Sequence, residues 1–252
     1  MLQNTPNRWL VGAGSEKAAM RLFVFPYAGG GASAFRQWNK ALAPRVASYT
    51  IQLPGRETRF TEPKLTRFSA AIEAIGDALR PNLDHPFAFF GHSLGGLLAF
   101  ETARHLRRLN APTPLHLFVS GCSAPQLREP EEQYNKLSDA GFVQAVRKFG
   151  GIPDEILQNT ELLDLFLPTL RADFRLLETY DYVQETALDC PITAFGGLED
   201  AETPESKLAA WNVHTTRAFR LSMFSGDHFF LHPARDLLLA EITRDLEGFL
   251  EL

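Results

Sequence analysis

Ser93, Asp200 and His228 are the residues whose types and chain order could perform acyl transfer. A serine hydroxyl is a weak nucleophile near neutral pH. It attacks a carbonyl carbon only when a histidine accepts its proton and an acid orients that histidine. Ser93 lies in Gly91-His92-Ser93-Leu94-Gly95, a Gly-x-Ser-x-Gly pattern. Such a pattern forms a nucleophile elbow when a buried strand precedes it and a helix follows. Phe87-Ala88-Phe89-Phe90 has the unbroken apolar character of a strand buried on both faces. Beyond the serine, Leu94, Leu97 and Leu98 recur at helical spacing. A turn that tight leaves no room for side chains at positions 91 and 95 and holds the serine in a strained conformation.

The base and the acid follow from position. In a parallel sheet, chemistry gathers at the carboxyl ends of the strands, and the triad order after this type of elbow is Ser, acid, His. His228 stands just past the last predicted strand, Ala218 to Phe224, and is the expected base; His232 is the weaker candidate. Asp200 follows the strand ending at Phe195 and is the expected acid, with its neighbour Glu199 as rival. Asp227 adjoins His228, and adjacent side chains rarely reach one another's ring nitrogen with good geometry. His92 should point away from Ser93. His85, His105 and His116 read as surface or internally satisfied histidines, and His214 as a surface one. The oxyanion of the tetrahedral intermediate should meet the backbone N–H of Leu94 and a second N–H from the loop after the first strand, assigned to Ala28.

That loop is Pro26-Tyr27-Ala28-Gly29-Gly30-Gly31-Ala32-Ser33. A glycine-rich loop after a strand can cradle phosphate. Here the spacing is neither Gly-x-Gly-x-x-Gly nor a Walker loop, and no Lys-Ser or Lys-Thr follows. A flexible backbone that turns an N–H toward a reacting carbonyl is the better use. No metal-ligand spacing occurs: the sequence has neither His-Glu-x-x-His nor closely paired cysteines.

Six strand signals alternate with helical ones, which predicts an α/β fold with a parallel sheet. The strands are Arg21–Phe25, Ser48–Leu53, Phe87–Phe90, Leu115–Val119, Pro191–Phe195 and Ala218–Phe224. The alternation stops between about Pro125 and Asp181. There the runs are helical: Phe142, Val143, Val146 and Phe149, then Ile156-Leu157, then Glu161 to Tyr180, which Pro168 should kink or interrupt. Residues 125–181 therefore read as a helical insertion over a core formed by 1–124 and 182–252. Its apolar surplus suits both a packed layer and a lid lining an acyl-chain groove.

The chain has 252 residues, enough for one domain with a sizeable core. Its net charge of −5 gives no electrostatic case for nucleic acid or anionic membrane. The sequence contains no apolar run of membrane-spanning length. The start, Met1 to Arg8, lacks the charged and apolar regions of a secretory signal. Cys122 and Cys190 read as buried free thiols, compatible with a reducing cytosol.

Taken together, these residues resemble the type II thioesterases that accompany nonribosomal peptide and polyketide synthases, within the α/β-hydrolase superfamily. The likeness runs over nearly the whole chain. It rests on Phe25 to Gly31, Leu53-Pro54-Gly55-Arg56-Glu57, Gly91 to Gly96, Leu167 to Phe174, and Gly226-Asp227-His228-Phe229-Phe230. Where such enzymes often carry Asp-Asp after the late strand, this chain has Glu199-Asp200, which favours Asp200. The resemblance implies an α/β-hydrolase fold with a mostly parallel sheet and a helical lid. It implies a monomeric cytoplasmic editing hydrolase, without cofactor, that strips stalled acyl groups from the phosphopantetheine arm of carrier proteins. A medium-chain fatty acyl carrier thioesterase shares these motifs. A carboxylesterase or lipase is a further alternative, and a catalytically silent carrier-binding module would require a broken triad.

Overall fold

The structure is a computed structural model that describes residues 7–12, 18–128, 133–147, 150, 152 and 154–250. Seven strands form one sheet in the order β1-β3-β2-β4-β5-β6-β7. They are β1 (Leu10–Val11), β2 (Met20–Phe25), β3 (Val46–Ile51), β4 (Phe87–His92), β5 (Leu117–Ser120), β6 (Ile192–Gly197) and β7 (Phe219–Phe224). All pairings from β3 through β7 are parallel, and β1 alone runs antiparallel, with Leu10 opposite Ile51. The sheet is thus the expected one plus a two-residue edge strand. Trp9-Leu10-Val11 is too short a run to show period-two alternation, so sequence gives only an apolar spot there.

Strand alternation divides the core between the two faces. Phe23, Phe25, Phe87, Phe89, Leu117 and Val119 point to one side. That face packs against α2 (Phe68–Leu79) and α3 (Leu94–Arg108). Leu22, Val24, Ala88, Phe90 and Phe118 point to the other side. They meet α1 (Arg36–Leu42) and α8 (Arg235–Leu250) through Trp38, Leu42, Leu238 and Ile242. A sheet covered by helices on both faces explains why β4 is apolar without interruption. Emptying one such ring position, as in Phe89→Ala, costs about 3–5 kcal/mol.

The helix ends follow local chemistry. Asn110 stops α3 at φ 53°, with the Ala111 N–H on the Leu106 carbonyl and the Asn110 N–H on that of Arg107. Those two bonds and the left-handed residue make a Schellman end. Between β5 and β6 the described chain is helical: α4 (Asp139–Val146), α5 (Asp154–Leu157) and α6 (Thr160–Glu178). The Ser138 hydroxyl accepts from the Gly141 N–H at the start of α4, and the Asn159 side-chain oxygen Oδ1 accepts from the Leu162 N–H at the start of α6. The segment has a cluster of its own, which includes Tyr134, Phe142, Val146, Leu167, Leu170 and Phe174. The predicted helical position Phe149 lies outside the described residues, as do Met1 to Pro6.

Two expectations, on Pro168 and on His214, are corrected. Pro168 does not interrupt α6, which continues through it. Both Pro168 and Asp164, whose carbonyl loses its partner, face solvent, where water replaces the missing bond. Trp211 and Val213 lie in a 3₁₀ segment, Ala210–His214, just after the short α7 (Glu205–Ala209). His214 is buried rather than on the surface, bonded through Nε2 to the Gln126 side-chain oxygen. Cys122 and Cys190 are free and buried, and burial pushes both thiols up to about 12, which leaves them unreactive at neutral pH.

Candidate active site

The turn from β4 into α3 holds Ser93 at φ 55° and ψ −120°. Positive φ is unfavourable for a residue with a Cβ, so the surroundings must impose it. They do so by close approach at two glycines. A Cβ on Gly91 would lie 2.1 Å from the Gly95 carbonyl oxygen, and one on Gly95 would lie 2.0 Å from that of Phe25. The start of α3 therefore sits directly on the end of β2. The Ser93 N–H donates to the Ser120 carbonyl at 2.8 Å, which ties the turn to the end of β5. Every residue from Phe87 to Arg104 is buried except Ser93, which is half-exposed.

Asp200 and His228 come from the ends of β6 and β7. The His228 Nδ1 and Asp200 Oδ2 are 2.7 Å apart, and each residue is only 6% exposed. The Asp200 Oδ1 also accepts from the backbone N–H groups of Glu202 and Thr203, and the Thr203 hydroxyl donates to Oδ2. Burial tends to raise this carboxyl. The hydrogen bond and charge of His228, with the Thr203 and Glu202 donors, outweigh burial and bring it down to about 2. Asp200 is thus a fixed carboxylate, able to hold Nδ1–H and so select the tautomer whose Nε2 accepts a proton. Of the rivals, Glu199 is solvent-exposed. Asp227 is also exposed and turns back to accept from the Phe229 N–H, shaping the loop rather than pairing with the ring. His232 reaches the Tyr27 hydroxyl at 3.4 Å.

The His228 ring lies beside the elbow. Its centroid is 5.1 Å from that of His92, and a Cβ on Gly121, after β5, would fall 3.3 Å from its Cε1. His92 itself is fully buried, with Nδ1 2.9 Å from the Ser120 hydroxyl. Its Nε2 has no hydrogen-bond partner among the described residues. Burial first, then the neighbouring His228, holds its pKa well below the usual histidine range, so His92 is a neutral packing partner.

The Leu94 N–H is the first of α3, whose 15 residues point the positive end of the helix dipole at this turn. Ala28 lies in the loop against which Gly95 packs, since a Cβ there would also fall 2.7 Å from the Pro26 carbonyl. That loop is clamped along its backbone. The Gly29 N–H donates to Asp173 and the Ala32 N–H to Gln52. The Ser33 N–H donates to Glu57, and the Gly30 carbonyl accepts from Arg56. Two of these acceptors are carboxylates, which would repel a phosphate, so the loop is not built as a phosphate cradle. A cavity of about 430 Å³ opens between this loop and α6, lined by Tyr27, Gly29, Arg56, Phe60, Leu165 and Phe166. The Ser120–His92, Ala32–Gln52 and Arg56–Asp173 contacts join residues 20 to 117 apart, so sequence spacing gives no signal of the pairings, and Thr203, three residues from Asp200, belongs to no motif.

The profile of the thioesterase domain family matches residues 20–247. The chain belongs to that family. Among its relatives, the gramicidin S biosynthesis protein GrsT of Aneurinibacillus migulanus is 43% identical over 95% of this chain and 94% of its own. Linear gramicidin dehydrogenase LgrE of Brevibacillus parabrevis is also 43% identical, over 98% and 95%. The solved RedJ thioesterase, from prodiginine biosynthesis in Streptomyces coelicolor, superposes with a TM-score of 0.81 at 43% identity, covering 89% of each chain. Medium-chain fatty acid synthase thioesterases are more distant, at 31–34% identity. The thioesterase fold here is the mostly parallel α/β-hydrolase type. Among its described residues no cluster of His, Cys, Asp or Glu could hold a metal ion, and no helix is long and apolar enough to cross a membrane.

Proposed function

We propose that this thioesterase hydrolyses acyl groups from the phosphopantetheine arm of carrier proteins, clearing stalled or misprimed chains in nonribosomal peptide or polyketide synthesis. The observation that carries the chemistry is the 2.7 Å His228–Asp200 pair beside an elbow whose one accessible residue is Ser93. The peptide-pathway relatives, closer than the fatty acid ones, favour the editing substrate over the medium-chain fatty acyl alternative.

In this reading His228 Nε2 takes the Ser93 proton as Oγ attacks the thioester carbonyl carbon. The oxyanion that forms is met by the N–H groups of Leu94 and Ala28. Collapse breaks the carbon–sulfur bond, and the thiolate leaves with the proton held by His228. A thiolate is a good leaving group, so this step needs little acid assistance. Water then attacks the acyl-Ser93 ester with His228 again accepting the proton, which it returns to Ser93 Oγ as the carbon–oxygen bond breaks and the acid departs. Asp200 holds the imidazole in the tautomer both steps require. No group beyond these side chains and backbone donors is invoked, and the pantetheine belongs to the substrate.

Residues 125–181 act as the lid over the core of 1–124 and 182–252, and the cavity along α6 admits arm and acyl chain. The protein works as a cytoplasmic monomer that meets its carrier transiently. A panel of acetyl to dodecanoyl carrier-protein thioesters, run beside simple carboxylic esters, tests the proposal. Preference for short carrier-bound thioesters supports editing. Preference for dodecanoyl thioesters turns the assignment to fatty acyl release, preference for simple esters to a carboxylesterase, and no turnover to a silent binding module.

A further inference from the structure

Arg56 and Asp173 form a buried ion pair that the triad chemistry does not use. Asp173 is 1% exposed and Arg56 7%. Both contacts of the fork are 2.7 Å: Arg56 Nη1 donates to Asp173 Oδ2, and Nη2 to Oδ1. The two residues are 117 apart in sequence, one in the loop after β3, the other on the inner face of α6. Burying two charges is costly, and a pair of this kind contributes little to stability relative to an apolar pair of the same shape. Its other bonds show where it acts. The Gly29 N–H donates to Asp173 Oδ2 at 2.7 Å, and Arg56 Nη1 donates to the Gly30 carbonyl at 3.0 Å. The pair thus grips the backbone on both sides of Gly29, one residue after Ala28.

Gly29 itself has φ +77°, and a Cβ on it would lie 2.6 Å from Phe166 Cζ and 3.0 Å from Leu170 Cδ1. The helix therefore presses on the same peptide that its aspartate holds. Holding α6 down does not need the ion pair. The Thr169 hydroxyl already donates to the Gly55 carbonyl at 2.7 Å, and the helix packs into its own apolar cluster.

We propose that Arg56 and Asp173 are positioning residues that set the oxyanion-hole loop, so that the Ala28 N–H is aimed only while α6 is seated. This rests on the reading of Ser93 and Ala28 given above. Seating the helix and forming the hole are then a single event, and the transition state, more than the bound substrate, feels the loss of either partner.

The test uses the full chain, an acyl-N-acetylcysteamine thioester and a matching trifluoromethyl ketone, whose Ser93 adduct carries the oxyanion without being turned over. Asp173→Ala is expected to lower kcat by about 100-fold or more, leave KM within about threefold, and weaken ketone inhibition in parallel with kcat. Asp173→Asn keeps an acceptor for the Gly29 N–H and is expected to recover roughly a tenth of the lost activity or more. Arg56→Lys loses the planar fork and is expected to fall between. Leu238→Ala, in the core on the far face of the sheet, should lower the melting temperature without weakening the ketone. If Asp173→Ala does not fold, Asp173→Asn and Arg56→Lys carry the test. Folded variants with unchanged ketone inhibition overturn the positioning role, whatever their stability. Wild-type protein that ignores the ketone overturns instead the reading of Ser93 on which it stands.

Discussion

The β4–α3 elbow and the α6 helix approach the loop after β2 from two sides, and they hold it by different means. At the elbow the restraint is steric and local. Gly91 and Gly95 allow backbone atoms to meet at distances no side chain would permit, and the flanking residues are buried without a gap. At α6 the restraint is mixed and distant: one buried ion pair, one hydroxyl on a carbonyl, an apolar cluster of the segment's own, and Leu176 near the helix end set in a sheet-face core. Its outer face leaves Leu162 and Leu165 exposed at 45% and 56%. The strand–turn–helix is packed along its whole length, whereas the first turns of α6 carry the exposed leucines and the looser packing. On the proposed function, the nucleophile is built on the more tightly packed part, and the part that would admit substrate is docked on it.

The largest expected effects break the elbow side. Ser93→Ala should lower kcat/KM for a carrier thioester by about 10,000-fold or more while leaving carrier binding, measured by calorimetry, unchanged. Asp200→Asn should follow at about 1,000-fold or more, because an amide can present the wrong hydrogen-bonding group to Nδ1 and select the other tautomer. In the wild type the Asp200 carboxylate, brought down to about 2, stays ionised across the working pH range. An acid limb of a pH–rate profile above pH 4 therefore reports another group, read by repeating the profile in Thr203→Val, which should not move it.

Leu165→Asp should act on the other side of the comparison, and more weakly. A charge on the cavity rim should raise KM for acylated carrier protein several-fold, about 1–2 kcal/mol of lost apolar contact, and leave turnover of a small thioester unchanged. Equal effects on both substrates would mean that α6 does not meet the carrier.

The remaining expected change is in stability with pH rather than in activity. Burial pushes His116 and His214 down to about 4 each. Unfolded, each titrates at about 6.5. A depressed histidine favours the folded state fully above the unfolded value, and that contribution is lost as pH falls toward the folded one. Urea midpoints should thus be flat above pH 7 and fall between about 6.5 and 4. His214→Phe should shallow that fall, and a midpoint independent of pH over the window would contradict the buried neutral state.

The same contrast sets what is legible in sequence. Gly91, Ser93 and Gly95 carry their mechanics in their spacing, because a steric turn needs particular residues at adjacent positions. Asp200 and His228 are legible from strand order, since the parallel sheet brings strand ends together. The Arg56–Asp173 pair is not, for nothing local says that residues 117 apart share a bond. Likewise Thr203 looks like any loop threonine, and β1 is too short to have a period. Pro168 misleads for a physical reason: its missing donor matters little on the solvent face of α6.

Rapid-quench intact-mass measurement on wild-type protein mixed with acetyl-loaded carrier protein tests the central claim most directly. The account predicts an enzyme species heavier by one acetyl group, mapped to the peptide containing Ser93, that forms before free acetate and is absent in Ser93→Ala. Acetate released by Ser93→Ala at the wild-type rate, or an adduct mapped to another residue, would contradict it.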